Sequence, residues 1–144
     1  MRNSKIFVTV DAVIFKKTQN KILLLLIQRK NAPFQNSWAL PGGFVDENED
    51  IDLAVSRELF EETQIELSSL EQLKAFGKPF RDPRFHVVSV AYYGFVPEDV
   101  EANAADDAEA AAWFSIKELP ELAFDHLEII KFALTKIDKN EISH

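Results

Sequence analysis

Between Lys5 and Lys16 almost every position is apolar, β-branched or aromatic (K-I-F-V-T-V-D-A-V-I-F-K), a pattern that predicts a strand. Thr18, Gln19 and Asn20 make a polar turn, and K-I-L-L-L-L-I-Q-R predicts a second strand, so the two form an antiparallel hairpin. The unbroken run Ile22 to Ile27 implies a strand covered on both faces. Residues 30–50 read as a loop with short ordered pieces. Within it, Gly42 and Gly43 follow Pro41, which predicts a tight turn with unusual backbone angles. I-D-L-A-V-S-R-E-L-F-E-E-T has helical spacing and good helix formers. A further strand is predicted between Ile65 and Phe80, a clear one over residues 86–96 and a short one over Ala110 to Ile116. Asp125 caps a final amphipathic helix, with Leu127, Ile130, Leu134 and Ile137 on one face. The acidic, Ala-rich stretch 97–110 is expected to be a mobile loop. Strands and helices interleave with no repeat and no linker, and the whole of residues 1–144 reads as one domain.

The first helix contains an anomaly. Ile51, Ala54 and Val55 form an apolar stripe, and the next positions on it are Glu58 and Glu62, with Glu61 beside them. The carboxylates continue the inward-facing stripe instead of lying opposite it. Glu58 and Glu62 repel each other, and all three acids lie near the helix C-terminus. A wrong-signed charge there costs roughly 0.3–1 kcal/mol. Nothing in folding requires this. A divalent cation held by convergent oxygens relieves it. Taken alone, E-x-x-E-E is more often a solvated acidic helix end.

Composition narrows the partners. The formal net charge is −8, so a nucleic-acid polymer is not expected, because backbone binding needs clustered Lys and Arg. A small anionic substrate needs a bridging cation. There are no cysteines, hence no disulfides or thiolate metal sites. The first residues lack a signal-peptide pattern, since Asp11 interrupts the apolar run, and the run Ile22 to Ile27 is too short to span a bilayer. A cytoplasmic protein without membrane contact is expected.

The residues before the acidic cluster add specificity. In G-F-V-D-E-N-E-D-I-D-L-A-V-S-R-E-L-F-E-E-T-Q-I, Gly43, Glu49, Arg57, Glu58, Leu59, Glu61, Glu62 and Ile65 fall in the register of the Nudix box. Here the chain resembles the Nudix hydrolase family. One position departs: Gln64 stands where the family has Gly, which there takes a left-handed conformation closing the helix. Gln in that shape costs on the order of 1 kcal/mol, unless the helix ends differently.

The resemblance implies an α/β fold, the Nudix α/β/α sandwich with a mixed sheet between helices. It implies that Glu58, Glu61 and Glu62 bind Mg²⁺ or Mn²⁺ with the Gly42 carbonyl as a further ligand, and that Arg57 and Glu49 pair, with Gly43, to orient the cluster. The reaction implied is hydrolysis of a nucleoside diphosphate linked to another moiety. Such a metal neutralises phosphate oxygens and acidifies a bound water.

A-P-F-Q-N-S-W-A-L-P-G-G-F-V, R-D-P-R-F-H-V-V-S-V-A-Y-Y and A-A-W-F-S-I-K-E-L-P-E-L-A-F-D-H resemble the ADP-ribose pyrophosphatase branch, with Phe85 where that branch often has Gly. Arg81 and Arg84 suit phosphate oxygens, or are solvated loop arginines. Arg29, at a strand end, is open to the same two readings. Phe34 and Trp38 are candidates for stacking on adenine, although aromatic residues in so Phe-rich a chain are more often core. For a general base the candidates are Glu58 and, on the acidic loop, Glu109, with Asp106 and Asp107 beside it. His126 reads as a helix-start packing residue, and the terminal His144 carries no information.

The expected activity is therefore metal-dependent hydrolysis of ADP-ribose to AMP and ribose 5-phosphate. The alternatives are cleavage of nucleoside triphosphates and a non-catalytic ADP-ribose sensor. Sensors resembling this branch carry an added DNA-binding region. The chain ends soon after its last helix, so catalysis is the expectation. Many relatives pair as homodimers, and nothing in the sequence names a pairing surface. A structural acidic protein is the remaining class, and it releases no product from any nucleotide.

Overall fold

The computed structural model describes residues 3–137. Strand β1 (Ile6–Thr18) and strand β2 (Lys21–Arg29) pair antiparallel through a hairpin at Gln19 and Asn20. Two short strands follow, β3 (Trp38–Ala39) and β4 (Gly42–Phe44), then helix α1 (Ile51–Thr63) and strand β5 (Glu71–Phe76). Strand β6 (His86–Val96), strand β7 (Ala108–Ser115) and helix α2 (His126–Lys136) complete the order. The sheet is mixed. Its order is β3-β2-β1-β6-β5, with β4 on β1 and β7 on β2, and among the strand pairs of the described residues only β1 and β6 run parallel.

Period-two alternation explains the layers. Val10, Ala12 and Ile14 of β1 face α1 and pack on Ala54, Val55 and Leu59. Val13 and Phe15 face the other way, onto Ile129, Ile130 and Ala133 of α2. Leu24 and Leu26 of β2 lie on the α2 side and Leu25 on the α1 side, which is why the run is unbroken. The result is an α/β/α sandwich. Neither helix is long and apolar enough to cross a membrane.

The feature that makes the site is a divergence. The C-terminal half of β1 pairs with β2 (Phe15↔Leu24 to Thr18↔Lys21), whereas its earlier residues Thr9, Val10 and Asp11 pair with β4. Beyond the split, β2 continues to β3 and β7. A cleft opens where β1 and β2 part.

Three expectations are corrected. Gly42 and Gly43 form no tight turn: they lie in β4, and no glycine has positive φ among the described residues. Asp125 stands at the N-cap of α2 but makes no capping bond, because its carboxylate is held by both Arg81 nitrogens at 2.6 and 2.9 Å. A charged bidentate pair outcompetes a cap. Leu127 is exposed, so the buried face of α2 runs through His126, Ile129, Ile130 and Ala133.

The acidic loop before β7 is anchored. The N–H groups of Asn103 and Ala105 donate to the Thr63 and Glu62 carbonyls at 2.9 and 3.1 Å, and Lys16 Nζ donates to the Val100 carbonyl. The last carbonyls of a helix need such partners. Gln64 closes α1 in the left-handed conformation at φ 66°, its N–H donating to Phe60 O at 2.8 Å. The shape that Gly would take is thus kept by Gln.

Candidate active site

The cleft between the diverging strands encloses about 390 Å³. Glu58 and Glu62 of α1 line one wall, and Arg29, Arg81 and Arg84 line another. Gly42, Gly43 and Phe44 of β4 also line it, as do Lys30, Asp11, Asp82, Asp107, Phe124 and His126.

Close approach of β4 to α1 sets the acidic wall. The Gly42 N–H donates to Glu62 Oε1 at 2.8 Å. A Cβ on Gly43 would stand 2.5–2.7 Å from the Glu58 carboxylate, so only glycine leaves that carboxylate its place. Arg57 is the hub behind it. Its Nε and Nη2 hold Glu49 at 2.6 and 2.9 Å, and Nη1 reaches Glu58 at 2.9 Å and Glu61 at 2.8 Å. Nη2 also donates to Phe44 O at 3.2 Å, tying α1 to β4.

The electrostatics mark a site short of positive charge. The Arg57 hydrogen bonds hold Glu49 down at about 2. Glu58 is raised by burial despite Arg57. Glu62 is pushed up to about 8, chiefly by burial; the Gly42 N–H opposes this, and the charges of Glu58, Asp11 and Asp107 add to it. The site fits a hard divalent cation: the donors are carboxylate oxygens, and their mutual repulsion is what a cation removes. Among the described residues no three acidic or histidine side chains form a ready-made cage. Instead, Arg57 takes up oxygens of Glu58 and Glu61.

Opposite, Arg81 is buried and spent on Asp125. Arg84 forks onto Asp82 at 2.9 and 3.1 Å and lies over the Phe44 ring. Arg29 gives only its Nε, to Pro33 O at 2.8 Å, and lies over Phe124 at 5.0 Å. Its terminal nitrogens have no acceptor among the described residues. Burial, then the neighbouring Arg84, lowers its pKa from the usual guanidinium value.

The NUDIX domain pattern matches residues 5–132. The chain belongs to the NUDIX family. Its curated relatives include the ADP-ribose pyrophosphatase of Methanocaldococcus jannaschii, 47% identical over 124 residues, which are 86% of this chain and 70% of that one. Another is the ADPR responsive transcriptional repressor NtrR of Acinetobacter baylyi, 36% identical over 90% of this chain; the chain spans about half of the repressor, 54%. Among solved structures, the NUDIX domain of Shewanella oneidensis NrtR complexed with ADP ribose superposes with a TM-score of 0.85 at 33% identity, covering 94% of this chain and 90% of that one. The bifunctional NMN adenylyltransferase/ADP ribose pyrophosphatase from Francisella tularensis, complexed with AMP and a Mn ion, gives 0.79 at 35% identity, covering 90% and 41%.

Against that Nudix frame, the structure brings together Gly42, Gly43, Glu58, Glu62, Arg29, Arg81 and Arg84 in one cleft. Glu49, Arg57 and Glu61 stand behind it as an ion-pair network. Three candidates lie elsewhere. Trp38 packs on Phe114 at 4.9 Å against the α2-side core. Phe34 packs on Phe124 with ring centroids 4.7 Å apart and does not itself line the cleft. Glu109 falls at the bulge that shifts the β2–β7 register, where its side chain is exposed, and Asp107 is the loop carboxylate that faces the cleft. Asp11, Asp82 and Phe124 went unread as site residues. Of these, Asp11 had a signal, as the lone acid in an otherwise apolar strand.

His126 yields a pH prediction. It is buried, and burial lowers its pKa from 6.5, while Asp11 and Asp125 raise it and Arg81 and Arg29 lower it. The fold therefore favours neutral imidazole. That stabilisation is complete above the unfolded value near 6.5 and is lost as pH falls towards the lowered folded value. Urea unfolding is expected to show a larger stability drop between pH 7.5 and 5.5 in the wild type than in His126→Asn, with equal drops refuting it.

Proposed function

We propose that the protein is a divalent-metal-dependent pyrophosphohydrolase that hydrolyses ADP-ribose to AMP and ribose 5-phosphate. The observation that carries this is the pairing, within one cleft, of two helix carboxylates, Glu62 buried and Glu58 half-buried, with three arginines. Glu58 and Glu62 would hold the cation, with Glu61 joining once released from Arg57 and with the Gly42 carbonyl as a further ligand. Mg²⁺ and Mn²⁺ both suit such oxygens. When bound, the cation supplies charge neutralisation and a more acidic water. Arg29, whose terminal nitrogens have no acceptor among the described residues, is the guanidinium best placed for a phosphate oxygen. Arg81 and Arg84 hold their carboxylate partners and shape the wall around it. Of the two candidate bases, Glu58 alone reaches the cleft. On the same reading, residues 1–144 form one cytoplasmic domain, able to pair as a homodimer, that takes a small nucleotide and no nucleic-acid polymer.

A second reading, an ADP-ribose sensor, is favoured by the likeness to the repressor NtrR. One panel separates them: ADP-ribose, NADH, diadenosine polyphosphates and dNTPs, each with Mg²⁺ or Mn²⁺, with products identified by chromatography. Equal amounts of AMP and ribose 5-phosphate from ADP-ribose are expected. Tight ADP-ribose binding without product would establish the sensor. Pyrophosphate from dNTPs, with ADP-ribose untouched, would establish the triphosphate hydrolase.

A further inference from the structure

The strap Leu40–Pro41–Gly42 carries the backbone that meets Glu62, and one of its ties comes from outside the Nudix box. His126 opens α2 and is 5% exposed. Its Nδ1 accepts the Leu40 N–H at 3.0 Å. A neutral imidazole that accepts at Nδ1 carries its proton on Nε2. Nε2 stands 3.5 Å from Asp11 Oδ1, while Asp11 Oδ2 accepts the Ser89 hydroxyl. Asp11 is in turn the register partner of Gly42. The Ala12 N–H donates to Pro41 O at 2.8 Å, and the Gly42 N–H reaches Glu62 at 2.8 Å. Leu40 is buried, so an N–H left there without an acceptor would bear its full desolvation cost. The imidazole is the acceptor that prevents this.

We propose that His126 is a positioning residue: by accepting the Leu40 N–H and facing Asp11, it fixes the strap that places Gly42 on Glu62 and Gly43 beneath Glu58. Its functional consequence rests on the metal-site reading above; its structural half stands on these contacts alone. The rival role is bulk, a plug under the start of α2. Two substitutions separate the roles. Asn sets an amide oxygen near the place of Nδ1, whereas Gln sets its amide near Nε2 and is closer to histidine in volume. Positioning predicts that His126→Asn works and His126→Gln fails; bulk predicts the reverse.

The test uses the full chain. Hydrogen exchange of the Leu40 amide is followed by NMR without metal, and Mn²⁺ affinity is read by EPR. The amide is expected to stay protected in the wild type and His126→Asn and to exchange at least about 10-fold faster in His126→Gln. Mn²⁺ binding weakens about 10-fold in His126→Gln only, the scale typical of residues that orient metal ligands. Unchanged Leu40 protection in His126→Gln overturns the proposal, as does unchanged Mn²⁺ affinity. If His126→Gln does not fold, His126→Asn decides: wild-type protection and affinity support the proposal, and their loss refutes it. Glu62→Gln serves as the control for the metal site. If it binds Mn²⁺ like the wild type, the metal-site reading fails, while Leu40 exchange still decides the role of His126.

Discussion

Glu62→Gln is expected to lower turnover on the order of 10³-fold or more, equivalent to about 4 kcal/mol of barrier, while the metal-free fold stays at least as stable as wild type. The two halves have one cause. Glu62 is nearly buried, 7% exposed, with Glu58, Asp11 and Asp107 all raising its pKa. Among the described residues its one hydrogen-bond donor is the Gly42 N–H. Glutamine keeps an oxygen for that N–H and removes a carboxyl whose ionised form burial penalises, so the fold loses a liability. It also removes the anionic oxygen that a hard cation requires. Glu58→Gln is expected to behave alike, softened in stability because Arg57 loses a partner. Thermal melts supply the internal check: Mn²⁺ should raise the wild-type midpoint and leave that of Glu62→Gln unmoved. Glu62→Gln with full activity sinks the site. Glu62→Gln that fails to fold sinks the claim that the carboxylate is there for chemistry and not for packing.

Much of this was legible in one dimension because two periodicities settle it. The α1 stripe through Ile51, Ala54, Val55, Glu58 and Glu62 follows from helical geometry, and the inward placement of the last two, Glu62 buried and Glu58 half-buried, is what the spacing requires. The alternation in β1 likewise separates the α1-facing from the α2-facing side chains. What was illegible depended on distant partners. Asp125 has the composition of a cap, yet Arg81, far back in the chain, claims its carboxylate. Trp38 and Phe34 have the chemistry of a stacking wall, and only the positions of Phe114 and Phe124 show what they touch. Glu109 and Asp107 are neighbours of one composition, and a bulge in the β2–β7 register decides which meets the cleft. Asp11 is the instructive miss. A lone carboxylate inside V-T-V-D-A-V-I-F says that a buried polar partner exists, and the partners, Ser89 and His126, come from β6 and α2.

Gly42→Ala and Gly43→Ala are expected to fail in different ways, although the two glycines are adjacent and share one short strand. A methyl on Gly42 runs into the Val10 carbonyl oxygen and comes within 2.6 Å of Asp11 Oδ1. The first of these is backbone, and it belongs to the β1–β4 pairing itself. It has no rotamer to change, so the strands must part and a clash becomes lost stability, of roughly 1–3 kcal/mol or more by the scale of overpacked cores. A methyl on Gly43 instead meets the end of the Glu58 side chain at 2.5–2.7 Å. That carboxylate can rotate away, so the fold survives and the cost falls on chemistry: Glu58 leaves the place that β4 had kept for it. Gly43→Ala should therefore retain a urea midpoint near wild type with turnover lowered about 10²-fold or more, whereas Gly42→Ala should lose midpoint first. The contrast tests the geometry more sharply than either variant alone. Equal loss of stability in both would mean that β4 needs glycine for its backbone only. An active Gly43→Ala would mean that Glu58 does its work from somewhere other than the position seen here.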